Sequence, residues 1–185
     1  MRHLKFVCLA ILLLASCTLF NSCKPAEERF ADRITKIEKT LNADSTKIPE
    51  KAEVIKLIDL YSEFADKYPQ SKRTPDFLFS AGRYCMSYNL STKAIAFFDR
   101  IIQNYPEYPK HPDSYFLKAF IYDSQLSNLP MARKSYEQLI EKYPNHELAK
   151  QAKQLISILG KNLEDVVAGF EENKKEDKSA AVAKK

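Results

Sequence analysis

Residues 101–109 read IIQNYPEYP, an apolar pair that runs into Tyr105 and halts at Pro106. The same phrase occurs as FADKYPQ at 64–70 and as LIEKYPN at 139–145. The prolines stand 37 residues apart from Pro69 to Pro106 and 38 apart from Pro106 to Pro144. Near-equal returns of one phrase point to a repeat, in which each unit cannot bury its apolar face alone and stacks on the next. Proline lacks the backbone donor a helix needs and blocks the preceding turn, so each Tyr-Pro reads as the end of a helix. Three glycines among 185 residues, against nine prolines, fit helices with proline-marked corners better than a turn-rich β protein.

Walking back from Pro106 gives Phe98, Ala94, Gly82, Ala81 and Leu78; walking back from Pro144 gives Tyr136, Ala132, Phe120, Ala119 and Phe116 at the same offsets. The spacing predicts two helices of about a dozen residues folded back on each other before the proline. Small residues stand where the two helices approach, and aromatic residues fill the space between hairpins. The phrases Leu78-x2-Ala81-Gly82-x2-Cys85, Ala94-x3-Phe98 and Pro106 resemble the tetratricopeptide repeat, as do Phe116-x2-Ala119-Phe120, Ala132-x3-Tyr136 and Pro144. The resemblance covers residues 75–146 most closely and implies an all-α fold of helical hairpins stacked into a short right-handed solenoid. Gly82, Ala94, Phe98, Pro106, Ala132, Tyr136 and Pro144 are then its structural positions. It further implies a concave peptide-binding groove lined by the first helix of each repeat, which places Phe79, Arg83, Met86, Leu117, Ile121 and Gln125 along it. The alternative reading makes Phe79, Leu117 and Ile121 plain core. A mixed groove of this kind suits an extended or helical peptide with apolar anchors.

An earlier, less regular hairpin is expected. Val54, Ile55, Leu57, Ile58, Tyr61, Phe64 and Tyr68 form one helical face, and Phe30, Ile34, Ile37 and Leu41 recur at helical intervals in the segment before it. After Pro144, Leu148, Ala152, Leu155, Ile156 and Leu159 share a face, with Gly160 placed to cap it. Leu163, Val166, Val167 and Phe170 follow and are expected to cover the last hairpin. The tail 171–185 is charged, poor in large apolar residues, and expected to be disordered.

The N-terminus has a basic start and an apolar run from Phe6 to Ala15, too short to span a membrane comfortably and of secretory-signal length. Leu14-Ala15-Ser16-Cys17 resembles the bacterial lipobox, which implies cleavage before a lipidated Cys17; the looser Phe20-Asn21-Ser22-Cys23 leaves Cys23 as the alternative. The organisation expected is a signal peptide at 1–16, a lipidated linker at 17–28, a repeat domain with capping helices at 29–170 and the tail. Removing the signal, with Arg2 and Lys5, takes the formal charge from +5 to +3, and no basic stripe with interleaved aromatics points to nucleic acid. Cys85 is then the lone interior cysteine, expected to be a small buried hydrophobe rather than a disulfide or metal ligand.

Catalysis finds no foothold. His3, His111 and His146 have no metal-ligand spacing to one another, and Gly82, Gly160 and Gly169 form no phosphate-binding loop. No catalytic residue, metal or cofactor is expected; His146 is placed to help a helix start. The phrases FADKYPQSKRTPDFLFSAGRY, AIAFFDRIIQNYP and ARKSYEQLIEKYPNHELA resemble outer-membrane assembly lipoproteins of the BamD (YfiO) type. The resemblance implies a lipid-anchored, periplasm-facing scaffold, monomeric within a larger complex, whose partners are outer-membrane assembly proteins or their unfolded substrates. The lipobox variants look like those of Bacteroidota, in which surface exposure is an alternative. A second reading is a Tol-Pal-associated division coordinator, and a third a general cell-surface adaptor.

Overall fold

A computed structural model of the chain describes residues 24–44 and 46–162. Cys17, Cys23, the signal peptide, the segment holding Leu163 to Phe170 and the tail therefore lie outside the described residues. Those residues form seven helices and no strand: α1 Ala26–Leu41, α2 Lys51–Lys67, α3 Thr74–Ser87, α4 Ser91–Asn104, α5 His111–Ser124, α6 Leu129–Lys142 and α7 Glu147–Ile158. The first helix begins at Ala26, three residues inside the expected linker. The chain divides into two compact units, with the boundary between Phe77 and Leu78 inside α3.

In the first unit α1 packs on α2. Ala31 and Ile34 are the buried residues of α1, while α2 buries Val54, Leu57, Ile58, Tyr61 and Phe64 of the expected stripe together with Ala65, and Ile55 and Tyr68 are half-buried. Phe64 is the aromatic hub, with Phe30, Tyr68 and Phe77 centred 5.6, 5.1 and 4.8 Å from it. Burial of such rings contributes about 1.5–3 kcal/mol each.

In the second unit neighbouring helices pack in chain order, and α5 touches both α6 and α7. Gly82 permits a close approach: a Cβ there would lie 2.8 Å from Cε1 and Cζ of Phe98, so the ring rests against the α3 backbone. Ala94, Phe98, Ala132 and Tyr136 are fully buried. In the next copy Phe120 replaces the glycine and is 39% exposed, while the edge of Phe116 meets Tyr136 at 5.7 Å. Leu148, Leu155, Ile156 and Leu159 pack, partly buried, against the core of Tyr115, Tyr136 and Leu139. Gly160 takes φ +79°, the left-handed conformation that ends a helix without strain.

The Tyr-Pro corners share one backbone. Tyr68, Tyr105 and Tyr143 have φ of −129°, −132° and −133° with ψ of 59°, 60° and 59°. Each donates its N–H to the residue four back, Phe64, Ile101 or Leu139, at 2.8–2.9 Å. Each carbonyl then accepts from the residue three ahead, Ser71, Tyr108 or His146, and those carbonyls accept from Thr74, His111 and Ala149. The three residues at this last position are fully buried. Thr74 opens α3, and His111 and Pro112 open α5.

Candidate interaction surfaces

The expected groove residues fall into different environments. Arg83 is exposed, while Met86, Leu117 and Gln125 are half-buried. Phe79 is 6% exposed and Ile121 is fully buried, so both serve packing and offer no open surface. The Phe79 ring meets Phe98 at 5.8 Å and Tyr108 at 6.1 Å, and the Lys110 ammonium lies 4.9 Å from its centre. Such a cation–π contact contributes about 0.5–1 kcal/mol near the surface.

Gln125 has both ends of its amide engaged. Its Nε2 donates to the Met86 carbonyl at 2.8 Å, and its Oε1 accepts from Ser91 Oγ at 2.8 Å. It thus joins the end of α5 to the turn between α3 and α4, satisfying a carbonyl that a helix end leaves without an intrahelical partner. On the same helix Lys118 pairs with Asp99 of α4 at 2.6 Å, both side chains partly buried. Gln125 is better described as a tie between hairpins than as a ligand contact.

His111 has a role that sequence spacing did not reveal. It is fully buried; Nε2 lies 3.1 Å from the Ile102 carbonyl, and Nδ1 lies 2.5 Å from the Tyr143 hydroxyl. A carbonyl only accepts, so Nε2 carries the proton and Nδ1 accepts from the tyrosine. His111 thereby ties the end of α4 to the corner after α6, and its ring, Tyr115 and Tyr143 meet edge to face at 5.3–6.3 Å. His146 caps α7, its Nδ1 accepting from the Leu148 N–H at 3.2 Å. Cys85 is buried. Among the described residues no group of three His, Cys, Asp or Glu side chains is placed to hold a metal ion, and no helix is long and apolar enough to cross a membrane.

A second surface lies in the first unit, where α1 and α2 border a groove of about 590 Å³. Ile37 and Leu41 of α1 and Leu60 of α2 form its apolar floor, each half-buried. The α1 wall carries Arg33 and Lys36; the α2 wall carries Glu53, Asp59 and Glu63, with Lys56 among them. Ile37 and Leu41 were legible as an apolar stripe. Only the pairing of the two helices brings the charges beside them to one groove.

Among curated proteins none matches the chain. The family model described as Tetratricopeptide repeat matches residues 113–146, a span that holds most of α5, all of α6 and the third Tyr-Pro corner. With the all-helical architecture of neighbouring hairpins among the described residues, the match gives the chain an all-α tetratricopeptide-repeat fold, one that suggests a protein-binding adaptor.

Proposed function

We propose that the chain is a lipid-anchored outer-membrane scaffold that binds proteins or peptides as an accessory component of β-barrel outer-membrane protein assembly, like the BamD-type lipoproteins. The observation that supports this most is the union of a lipobox-like Leu14-Ala15-Ser16-Cys17 with hairpins that end in Tyr-Pro corners. The lipid sits on Cys17, with Cys23 as the alternative, and the folded part faces the periplasm. Of the residues expected in the binding groove, Arg83, Met86 and Leu117 retain exposed or half-exposed surface and are the ones proposed to touch a ligand.

The scaffold acts as a monomer within a larger complex. α1 is 16 residues long and turns its buried Ala31 and Ile34 toward α2, so this face is not available for a long trimeric coiled coil. A Tol-Pal-associated division coordinator would instead be expected to trimerise through this region. A pull-down of the tagged, lipidated chain in mild detergent, read by mass spectrometry, tests the reading. Recovery of the β-barrel insertase supports it; recovery of Tol-Pal or cell-wall enzymes, with a trimer in ultracentrifugation, replaces it. Accumulation of an uncleaved precursor in Cys17→Ser places the lipid on Cys17, whereas normal processing of that variant with failure of Cys23→Ser moves it to Cys23.

A further inference from the structure

The α1–α2 groove is lined by none of the residues expected on the repeat's concave surface, and its charges are arranged rather than scattered. Arg33 and Lys36 stand on one wall, and Glu53, Asp59 and Glu63, which outnumber the Lys56 among them, stand on the other, with an apolar floor between. None of these five charges takes part in an ion pair among the described residues, although Lys24, Asp32 and Arg73 of the same unit are paired. We propose that this groove is a docking site for one amphipathic helix of a partner protein, with an acidic edge against Arg33 and Lys36 and a basic edge against Glu53, Asp59 and Glu63.

Shape and charge together select this occupant. The floor is concave and bordered by two helices, the setting in which a third helix lays its apolar ridge into a groove. From Arg33 to Leu41 the α1 wall spans nine residues, and from Glu53 to Glu63 the α2 wall spans eleven, so about 12–15 Å of helix is accommodated, or two to three turns. A ridge of apolar residues at i, i+3 or i+4, and i+7 covers Ile37, Leu41 and Leu60. A second copy presenting the same concave face would leave the apolar floors of both copies unfilled. Opposite charge on the two walls selects a helix with unlike edges and fixes the direction in which it lies. The inference rests on the protein-binding reading alone and is independent of the lipid anchor and of the assembly served.

The test uses the full-length chain in detergent and labelled, stapled 12-residue helices read by fluorescence anisotropy. One helix carries leucines at the ridge positions with glutamates on one edge and lysines on the other; its companion has lysines on both edges. The mixed helix is expected to bind the wild type more tightly, with affinity falling as salt rises. Arg33→Glu with Lys36→Glu makes both walls acidic and is expected to weaken the mixed helix about tenfold while transferring preference to the all-lysine helix. Thr40→Trp, at an exposed groove position, is expected to block both helices without changing helix content by circular dichroism. Equal binding of the two helices by wild type and charge-reversed chain, binding that ignores Thr40→Trp, or a dimer that these variants dissolve would each overturn the proposal. Failure of the pull-down to recover an insertase would leave these affinities untouched, so the two readings fail separately.

Discussion

Tyr136→Phe is expected to make the protein more stable. Tyr136 is fully buried, and its hydroxyl has no hydrogen-bond partner among the described residues. Thirty-eight residues earlier the same slot holds Phe98, so the fold accepts a ring without the oxygen. A buried hydroxyl without a partner costs about 1–3 kcal/mol by mutational comparison. Removing it forfeits a few dispersion contacts of about 0.1–0.2 kcal/mol each, so the net gain is about 1 kcal/mol. Urea unfolding followed by circular dichroism should show the midpoint rising by about 0.3–1 M at unchanged slope. For a chain of this size the melting temperature should rise by about 2–4 °C.

The same substitution has an alkaline signature. Burial raises the Tyr136 phenol well above the usual tyrosine range, and the neighbouring Asp123 charge raises it further. Asp123 is itself raised by burial. Above pH 10 the unfolded tyrosine releases its proton while the folded one retains it, so the folded state binds more protons and stability falls as pH rises. The full contribution is present below the ordinary phenol value and is lost above it, at up to about 1.4 kcal/mol per pH unit for one group. Tyr105, Tyr115 and Tyr143 are also raised by burial, so wild type and variant both weaken in alkali. The slope between pH 10 and 12 should be smaller by one proton in Tyr136→Phe. A loss of 1 kcal/mol or more at pH 7, or identical alkaline slopes, would refute the reasoning and show that the hydroxyl is satisfied.

Gly82→Ala places a Cβ 2.8 Å from the buried Phe98 ring; overpacking of about 1–3 kcal/mol, offset by about 1 kcal/mol of helix propensity, gives a net loss near 1 kcal/mol. Adding Phe98→Leu should recover part of it, and a thermal melt of the pair reads both. Ser127 holds φ +50°, outside the comfortable range of a serine, so Ser127→Gly should raise stability by a few tenths to about 1 kcal/mol in urea. Asn89 at φ +56° is a residue type that tolerates this conformation, and Asn89→Gly should gain less. Tyr143→Phe removes the donor to His111 Nδ1 and leaves a buried acceptor unmet, for a loss of about 1–3 kcal/mol. A double-mutant cycle with His111→Ala should return a coupling of at least 0.5 kcal/mol, and additivity would show that the bond contributes nothing.

What the sequence revealed is what local physics dictates. A proline after tyrosine stops a helix wherever it stands, and a glycine opposite an aromatic marks a close approach, so Pro69, Pro106, Pro144, Gly82 and Phe98 were legible. Gly160 was legible for the same reason, since few other residues end a helix in the left-handed conformation. Periodicity names the face of a helix and not its neighbour. Ile121 shares the α5 face expected to line a groove, yet it is fully buried, and Gln125 meets Met86 and Ser91 of another hairpin. The His111 contacts span nine and thirty-two residues and leave no local trace. The division at Phe77 lies within an unbroken helix, where no composition shift accompanies it.

The corners explain how the repeats diverge in sequence while holding one geometry. Six residues after each corner tyrosine the chain places a buried residue, and the three occupants are Thr74, His111 and Ala149. The backbone requirement is common: each donates its N–H to the carbonyl three back, which completes the turn begun by the proline. The side-chain requirement is only that nothing polar be left unmet. Alanine meets it by having nothing to satisfy. Threonine meets it locally, its Oγ1 donating to the Tyr68 carbonyl at 2.6 Å. Histidine meets it through tertiary contacts, with the Ile102 carbonyl on one side and the Tyr143 hydroxyl on the other. Exchange at this slot is therefore constrained by partners and not by size alone. His111→Thr, bonding its own corner carbonyl as Thr74 does, leaves both the Ile102 carbonyl and the Tyr143 hydroxyl without the partner His111 gives them; Tyr143→Phe removes only the second of these losses. The pair should therefore be tolerated better than His111→Thr alone, with a thermal melt reading the difference and the Ile102 carbonyl accounting for the loss that remains.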